Sequence, residues 1–179
     1  MDGKMPLVER LVDHAKKGPV SFHVPGHKGN SGFLGAGASF FGEVLRHDLT
    51  ELPGLDNLHS PAGVIRDAQR LAAKAYGADY TYFLVNGSTV GLLASMLSAT
   101  RPGDTVMVDR GCHSSVFNGL VLGRLKPVYL PRPVDPATGI PLAISPERVE
   151  RGLGKAGGVK AVIITNPTYY GICSDIKAI

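Results

Sequence analysis

Several short clusters in this sequence carry side chains able to do chemistry. Asn86-Gly87-Ser88-Thr89 lies between the apolar run ending at Val85 and a helix-like stretch that starts at Ser88. Free backbone N–H groups at a helix start point outward, and the helix dipole there favours an anion. Gly87 would let the backbone approach closely, while two hydroxyls could each donate to a phosphate oxygen. Plain helix capping by Ser88 explains the same residues equally simply. Two other phosphate motifs are excluded. No Gly-Lys-Ser/Thr ending occurs here, and no lysine lies between Asp79 and Arg101. Gly35-Ala36-Gly37-Ala38-Ser39-Phe40 has Phe40 where a dinucleotide motif needs its third glycine, and it follows no strand.

Asp109-Arg110-Gly111-Cys112-His113-Ser114-Ser115 follows a second apolar run. A histidine just past a strand, at a helix start, faces the same crevice as Ser88. Its imidazole could stack on a flat heteroaromatic ring and donate a proton, or serve only as a polar helix entry. Cys112 reads as a small buried residue, with no base to activate it. Thr165-Asn166-Pro167-Thr168-Tyr169-Tyr170-Gly171 offers hydrogen-bond donors toward a ligand, or is a Pro-Gly-framed surface loop. His23 and His27 are four apart, but Pro25-Gly26 between them rules out the helix that would aim both at one metal.

The elements that position these clusters follow from periodicity. Helices are expected over Pro6–Lys17, Ala62–Tyr76 with Gly77 as its C-terminal cap, Ser88–Thr100, His113–Arg124, and Pro146–Leu153 with Ser145 as cap. Strands are expected over Tyr80–Val85, Thr105–Val108, Pro127–Leu130 and Val159–Ile164. Gly18 to Phe41 reads as an arm or loop, and residues 175–179 as the first turn of another helix. Short apolar strands alternating with helices imply a three-layer α/β/α arrangement around a mainly parallel sheet. Ligands in such sheets sit beyond the carboxyl ends of the strands, which are the places the clusters occupy.

A hydrophobic content of 44% with 19% charged residues is a globular balance. The net charge of +4 is spread over single lysines and arginines, so no nucleic-acid partner is expected. No apolar run is long enough to span a bilayer, and no membrane partner is expected. Two distant cysteines make no disulfide framework, which makes the cytoplasm the expected compartment.

Taken in order, the motifs at 23–29 (His-Val-Pro-Gly-His-Lys-Gly), 48–52, 55–59, 72–79, 86–89, 110–115 and 165–171 resemble the ornithine/lysine/arginine decarboxylases of the aspartate-aminotransferase fold type. The resemblance implies a partial pyridoxal-phosphate-dependent major domain and pyridoxal 5'-phosphate as cofactor. It implies that Gly87, Ser88 and Thr89 hold the phosphate, that His113 stacks on the pyridine face as a catalytic residue, and that Thr168 lies near cofactor or substrate. The substrate would be a basic amino acid, decarboxylated to an amine, in a homo-oligomer with active sites between subunits.

Residues 1–45 are then expected to form an amino-terminal helix and arm, and 46–179 an incomplete major domain truncated at its carboxyl end. In the family the lysine that anchors the cofactor lies in a Ser-X-His-Lys motif, downstream of an aspartate that pairs with the ring nitrogen. Neither is expected within residues 1–179. His27-Lys28 belongs to a different family motif, and Asp175 suits a helix cap. The chain alone is therefore expected to be inactive and poorly soluble. Two alternatives stand beside this reading: another enzyme on the same scaffold, an aminotransferase or aldolase, and a non-catalytic phosphate-binding or dimerisation module.

Overall fold

The computed structural model describes residues 3–30 and 32–179. The chain divides into two compact units, residues 1–83 and 84–179.

In the first unit, helix α1 (Pro6–Lys16) opens with Pro6, whose fixed φ and missing N–H suit the first helical turn. The Glu9 carboxylate reaches back to the Met5 N–H at 3.0 Å. The stretch from Gly18 to Phe41, expected to be an arm or loop, carries short helical turns over Gly32–Gly37 and α2 (Ala38–Phe41), and a further turn follows over Gly42–Arg46. Pieces of four to six residues are too short for an apolar periodicity to show.

Helix α3 (Val64–Tyr76) packs on α1 and ends, as expected, at Gly77 in the left-handed conformation. Its start is held from a distance. The Asp56 carboxylate accepts from the backbone N–H groups of Ala62, Gly63 and Ile65 at 2.8, 2.8 and 2.9 Å, and more loosely from Arg66. Those bonds satisfy donors that the first turn of a helix otherwise leaves free. They hold the Asp56 carboxyl well below the usual carboxylate range, with the Ala62 N–H as the largest cause. The motif at 55–59 is thus a capping device: Leu55 is buried, Asp56 caps α3, and Asn57 donates to Glu51 at 2.6 Å. A second link ties 23–29 to 48–52. His27 Nδ1 accepts from the Gly29 N–H, and its Nε2 meets Asp48 at 3.0 Å.

Residues 80–85 were expected to form a strand, and no ladder forms there among the described residues. β propensity marks an extended chain, but a strand also needs a neighbour to bond with. Tyr80 and Tyr82 are largely exposed.

The second unit is the expected parallel α/β layer structure. Helix α4 (Ser88–Ala99) leads to β1 (Thr105–Asp109), α5 (Ser114–Leu122), β2 (Lys126–Leu130), α6 (Pro146–Ala156) and β3 (Val159–Ile163). The strand order is β2-β1-β3, with both pairings parallel. β1 sits in the centre, and its alternating side chains feed two cores. Val106 and Val108 pack with Met96, Val116, Leu120 and Leu125 on the α4/α5 side. Met107 packs with Leu130, Ile144 and Val149 on the α6 side. Each such side chain, fully withdrawn from water, stabilises the layers by about 1.5–3 kcal/mol. Ser145 stands at the N-cap of α6 with Pro146 in the first turn, although its hydroxyl makes no capping bond to the helix backbone. At the end of the chain Asp175 caps a single turn, accepting from the Ala178 N–H at 3.0 Å. No helix among the described residues is long and apolar enough to cross a membrane.

Candidate functional site

Parallel strands bring the loops after β1 and β3 and the start of α5 to one edge of the sheet, all within the second unit. The start of α4 supplies the first part of the site. Gly87 occupies the N-cap with φ 81° and ψ 173°, a region open almost only to glycine. Ser88 is therefore the first helical residue, not the cap, and no side chain caps this helix. The capping reading of Ser88 is thereby corrected: its hydroxyl is exposed and makes no hydrogen bond among the described residues. The first N–H groups of α4 stay without a side-chain acceptor, as an anion site requires.

The start of α5 supplies the second part. His113 is its N-cap, and the imidazole Nδ1 accepts from the Ser115 backbone N–H at 3.2 Å. Ser115 Oγ lies 2.7 Å from the same nitrogen and 2.8 Å from Thr89 Oγ1. Ser115 is buried, while His113 is exposed. A bonded chain thus runs Thr89–Ser115–His113 and ties the two helix starts together. It brings Gly87, Ser88, Thr89 and His113 into one neighbourhood.

Beneath this edge lies an ion pair. Asp109, fully buried, accepts from Arg132 Nε at 2.9 and 3.1 Å and from Nη2 at 2.5 Å. It also accepts from the backbone N–H groups of Gly111 at 2.8 Å and Thr165 at 3.1 Å. Arg132 in turn donates to the carbonyls of Leu142 and Thr165 at 3.0 and 2.7 Å. One carboxylate and one guanidinium therefore join the segments that follow all three strands. Partial burial raises the Cys112 thiol above its ordinary range, with the Asp109 charge adding to the effect. This agrees with a packing role for Cys112 rather than a nucleophile.

Thr168 sits apart from that bonded chain, in the loop after β3. Its hydroxyl accepts from the N–H groups of Tyr170 and Ile172 at 3.3 and 3.0 Å, and its own N–H donates to Ile172 O at 2.9 Å. Asn166 Oδ1 accepts from the Ser174 N–H at 2.7 Å, closing the same loop. Thr168 makes no hydrogen bond to Ser88, Thr89 or His113.

Sequence reasoning gave no role to Ser115, Asp109 or Arg132. Asp109 did leave a signal, since a carboxylate closing a fully apolar strand needs a partner. Arg132 left none, because 23 positions separate it from that partner.

The second unit is thus a parallel α/β layer structure in which the starts of α4 and α5 and their hydroxyls are bonded together. Residues 5–179 match the family described as Orn/Lys/Arg decarboxylase, major domain, and the chain belongs to that family. It is 45% identical over 174 residues to the uncharacterised protein YaaO of Bacillus subtilis, covering 97% of this chain and 36% of YaaO. It is 40% identical over 175 residues to an arginine decarboxylase of Halalkalibacterium halodurans, again covering 97% of this chain and 36% of that protein. The crystal structure of the Francisella novicida lysine decarboxylase superposes with a TM-score of 0.80 at 27% identity, over 94% of this chain and 26% of that one. The chain thus spans about a third of the length of the curated relatives it matches.

Proposed function

We propose that these residues form the phosphate-binding end of the active site of a pyridoxal-phosphate-dependent decarboxylase acting on arginine, lysine or ornithine. One observation carries the reading: the uncapped start of α4, led by Gly87 and Ser88, is bonded through Thr89 and Ser115 to His113. The donor set fits the cofactor. Its phosphate suits the backbone N–H groups of Gly87, Ser88 and Thr89 and the free Ser88 hydroxyl. Its flat ring suits the exposed imidazole of His113. When bound, pyridoxal phosphate supplies the electron sink for the charge left as carbon dioxide departs.

The chain's own residues orient and hold. Gly87 turns the backbone so that the first N–H groups of α4 face out. His113 would lie against one ring face, and the Asp109–Arg132 pair fixes the segments that follow the three strands, including the one leading into α5. Thr168 orders the loop that lies near substrate. Residues 1–45 act as an amino-terminal arm and 46–179 as part of the major domain, in a homo-oligomer whose subunits share active sites. These residues contain no Ser-X-His-Lys motif, which supports a reading in which residues 1–179 do not decarboxylate by themselves. Unpaired cysteines support a cytoplasmic setting.

The test uses the full-length natural protein, titrated with pyridoxal phosphate and, separately, with pyridoxal. Ser88→Ala removes a hydrogen bond to a charged group, worth about 1.5–3 kcal/mol. It should weaken pyridoxal phosphate about tenfold or more and leave pyridoxal unchanged. Equal effects on both ligands, or none, would refute the phosphate role.

A further inference from the structure

The chain Thr89–Ser115–His113 has a direction that its geometry fixes. A backbone N–H can only donate, so the bond from Ser115 N to His113 Nδ1 makes Nδ1 an acceptor. In the neutral imidazole the ring proton then resides on Nε2. With no proton on Nδ1, the 2.7 Å contact to Ser115 Oγ is a bond donated by the Ser115 hydroxyl. That spends the single Ser115 proton. The 2.8 Å contact to Thr89 is accordingly donated by the Thr89 hydroxyl to Ser115 Oγ.

We infer that Ser115 is a positioning residue: its backbone N–H sets the tautomer of His113, and its buried hydroxyl, donating to the same nitrogen, holds the ring's orientation and turns the Thr89 hydroxyl proton inward. Two consequences follow for the site. His113 presents Nε2–H as its outward donor. Thr89 contributes its backbone N–H to an anion but not its hydroxyl proton, so Ser88 is the one hydroxyl donor of the Gly87-Ser88-Thr89 set. Ser115 is suited to this task because it is only 2% exposed, where water offers no competing partner. It also stands on the first turn of α5, two residues after the group it orients. The relevance to catalysis rests on the cofactor reading above, but the tautomer assignment does not.

The experiment is long-range proton–nitrogen NMR on the full-length protein labelled with nitrogen-15 histidine, with His113 assigned by its disappearance in His113→Gln. The cofactor-free protein should show His113 neutral with its proton on Nε2. A proton on Nδ1 would overturn the inference directly, whatever the cofactor does. Ser115→Ala keeps the backbone N–H but removes the second donor, so the proton should stay on Nε2 while the Nδ1 nitrogen-15 resonance shifts toward that of a less strongly bonded acceptor, and pyridoxal phosphate should bind two- to tenfold more weakly, the effect of one neutral hydrogen bond. Ser115→Thr, which restores the hydroxyl, should recover both. An unchanged His113 Nδ1 resonance in Ser115→Ala would also overturn the inference. If Ser115→Ala shifts the His113 Nδ1 resonance while Ser88→Ala leaves phosphate selectivity untouched, the positioning role stands and the cofactor reading fails. The reverse pattern sinks the positioning role alone.

Discussion

Replacing Asp109 by leucine should do more damage than any other single change in the second unit. Asp109 is fully buried and meets an Arg132 side chain that is only 4% exposed, so neither charge can turn to water. Removing one partner of such a pair costs about 3–5 kcal/mol, because the other charge stays buried and unpaired. The N–H groups of Gly111 and Thr165 also lose their acceptor, at about 1–3 kcal/mol each where water cannot replace it. Arg132 keeps its bonds to Leu142 O and Thr165 O, which offsets part of the loss. A net cost on the order of 5 kcal/mol follows, comparable to the whole stability of a modest domain. Adding Arg132→Met removes the stranded charge and should recover most of the pair's share, leaving the two backbone donors as the residual defect. Tryptophan fluorescence cannot report on these residues, since they contain none. Hydrogen exchange of the β1 amides in the full-length protein reads the local opening free energy instead. A loss under about 1 kcal/mol for Asp109→Leu, or a double variant no more protected than the single one, would refute the claim that this pair binds the three strand ends.

Three further outcomes are expected. Asp56 has a depressed carboxyl, so its capping contribution is present above the ordinary carboxylate range, near pH 4, and fades as pH falls toward its lowered folded value. Protection of the α3 amides should therefore drop on acidification in the natural protein, and a pH-independent profile matching that of Asp56→Asn would contradict the capping role. Gly87→Ala forces a side chain into a glycine-only conformation at about 1–3 kcal/mol, and calorimetry together with cofactor titration should show both lower stability and weaker pyridoxal phosphate binding. Gly119→Ala would place a Cβ 2.4 Å from the Met96 sulfur where α5 meets the α4 side of the core. That overpacking should cost about 1–3 kcal/mol in a thermal melt, and a neutral result would mean Met96 repacks freely.

How much of this was legible beforehand depended on the range of the signal. The alternating helices and strands of 88–163 were readable because each element is long enough to show its period. β1 was readable because a central strand covered on both faces is apolar throughout. The run at 80–85 carries the same composition, but pairing is a property of two segments and propensity describes only one. The chemistry divides the same way. Gly87, Ser88, Thr89 and His113 stood out because each lies within a few residues of the end of an apolar run and at a helix start. Ser115 was visible only as the neighbour of His113, and its role emerged from a bond to Thr89, 26 positions earlier. Arg132 could not be paired with Asp109 without coordinates. The motifs at 23–29, 48–52 and 55–59 were recognisable as strings, whereas their physics lay in the bonds His27–Asp48 and Asn57–Glu51 and in the Asp56 cap.

Pyridoxal phosphate held at the start of α4, as proposed above, would serve the decarboxylation of a basic amino acid. The most direct measurement supplies the full-length natural protein with pyridoxal phosphate and carboxyl-labelled arginine, lysine or ornithine, and quantifies carbon dioxide and amine. Equimolar carbon dioxide and amine are expected from at least one of the three, lost when the cofactor is removed and reduced in Ser88→Ala. A keto acid in place of the amine, or turnover indifferent to pyridoxal phosphate, would contradict that expectation.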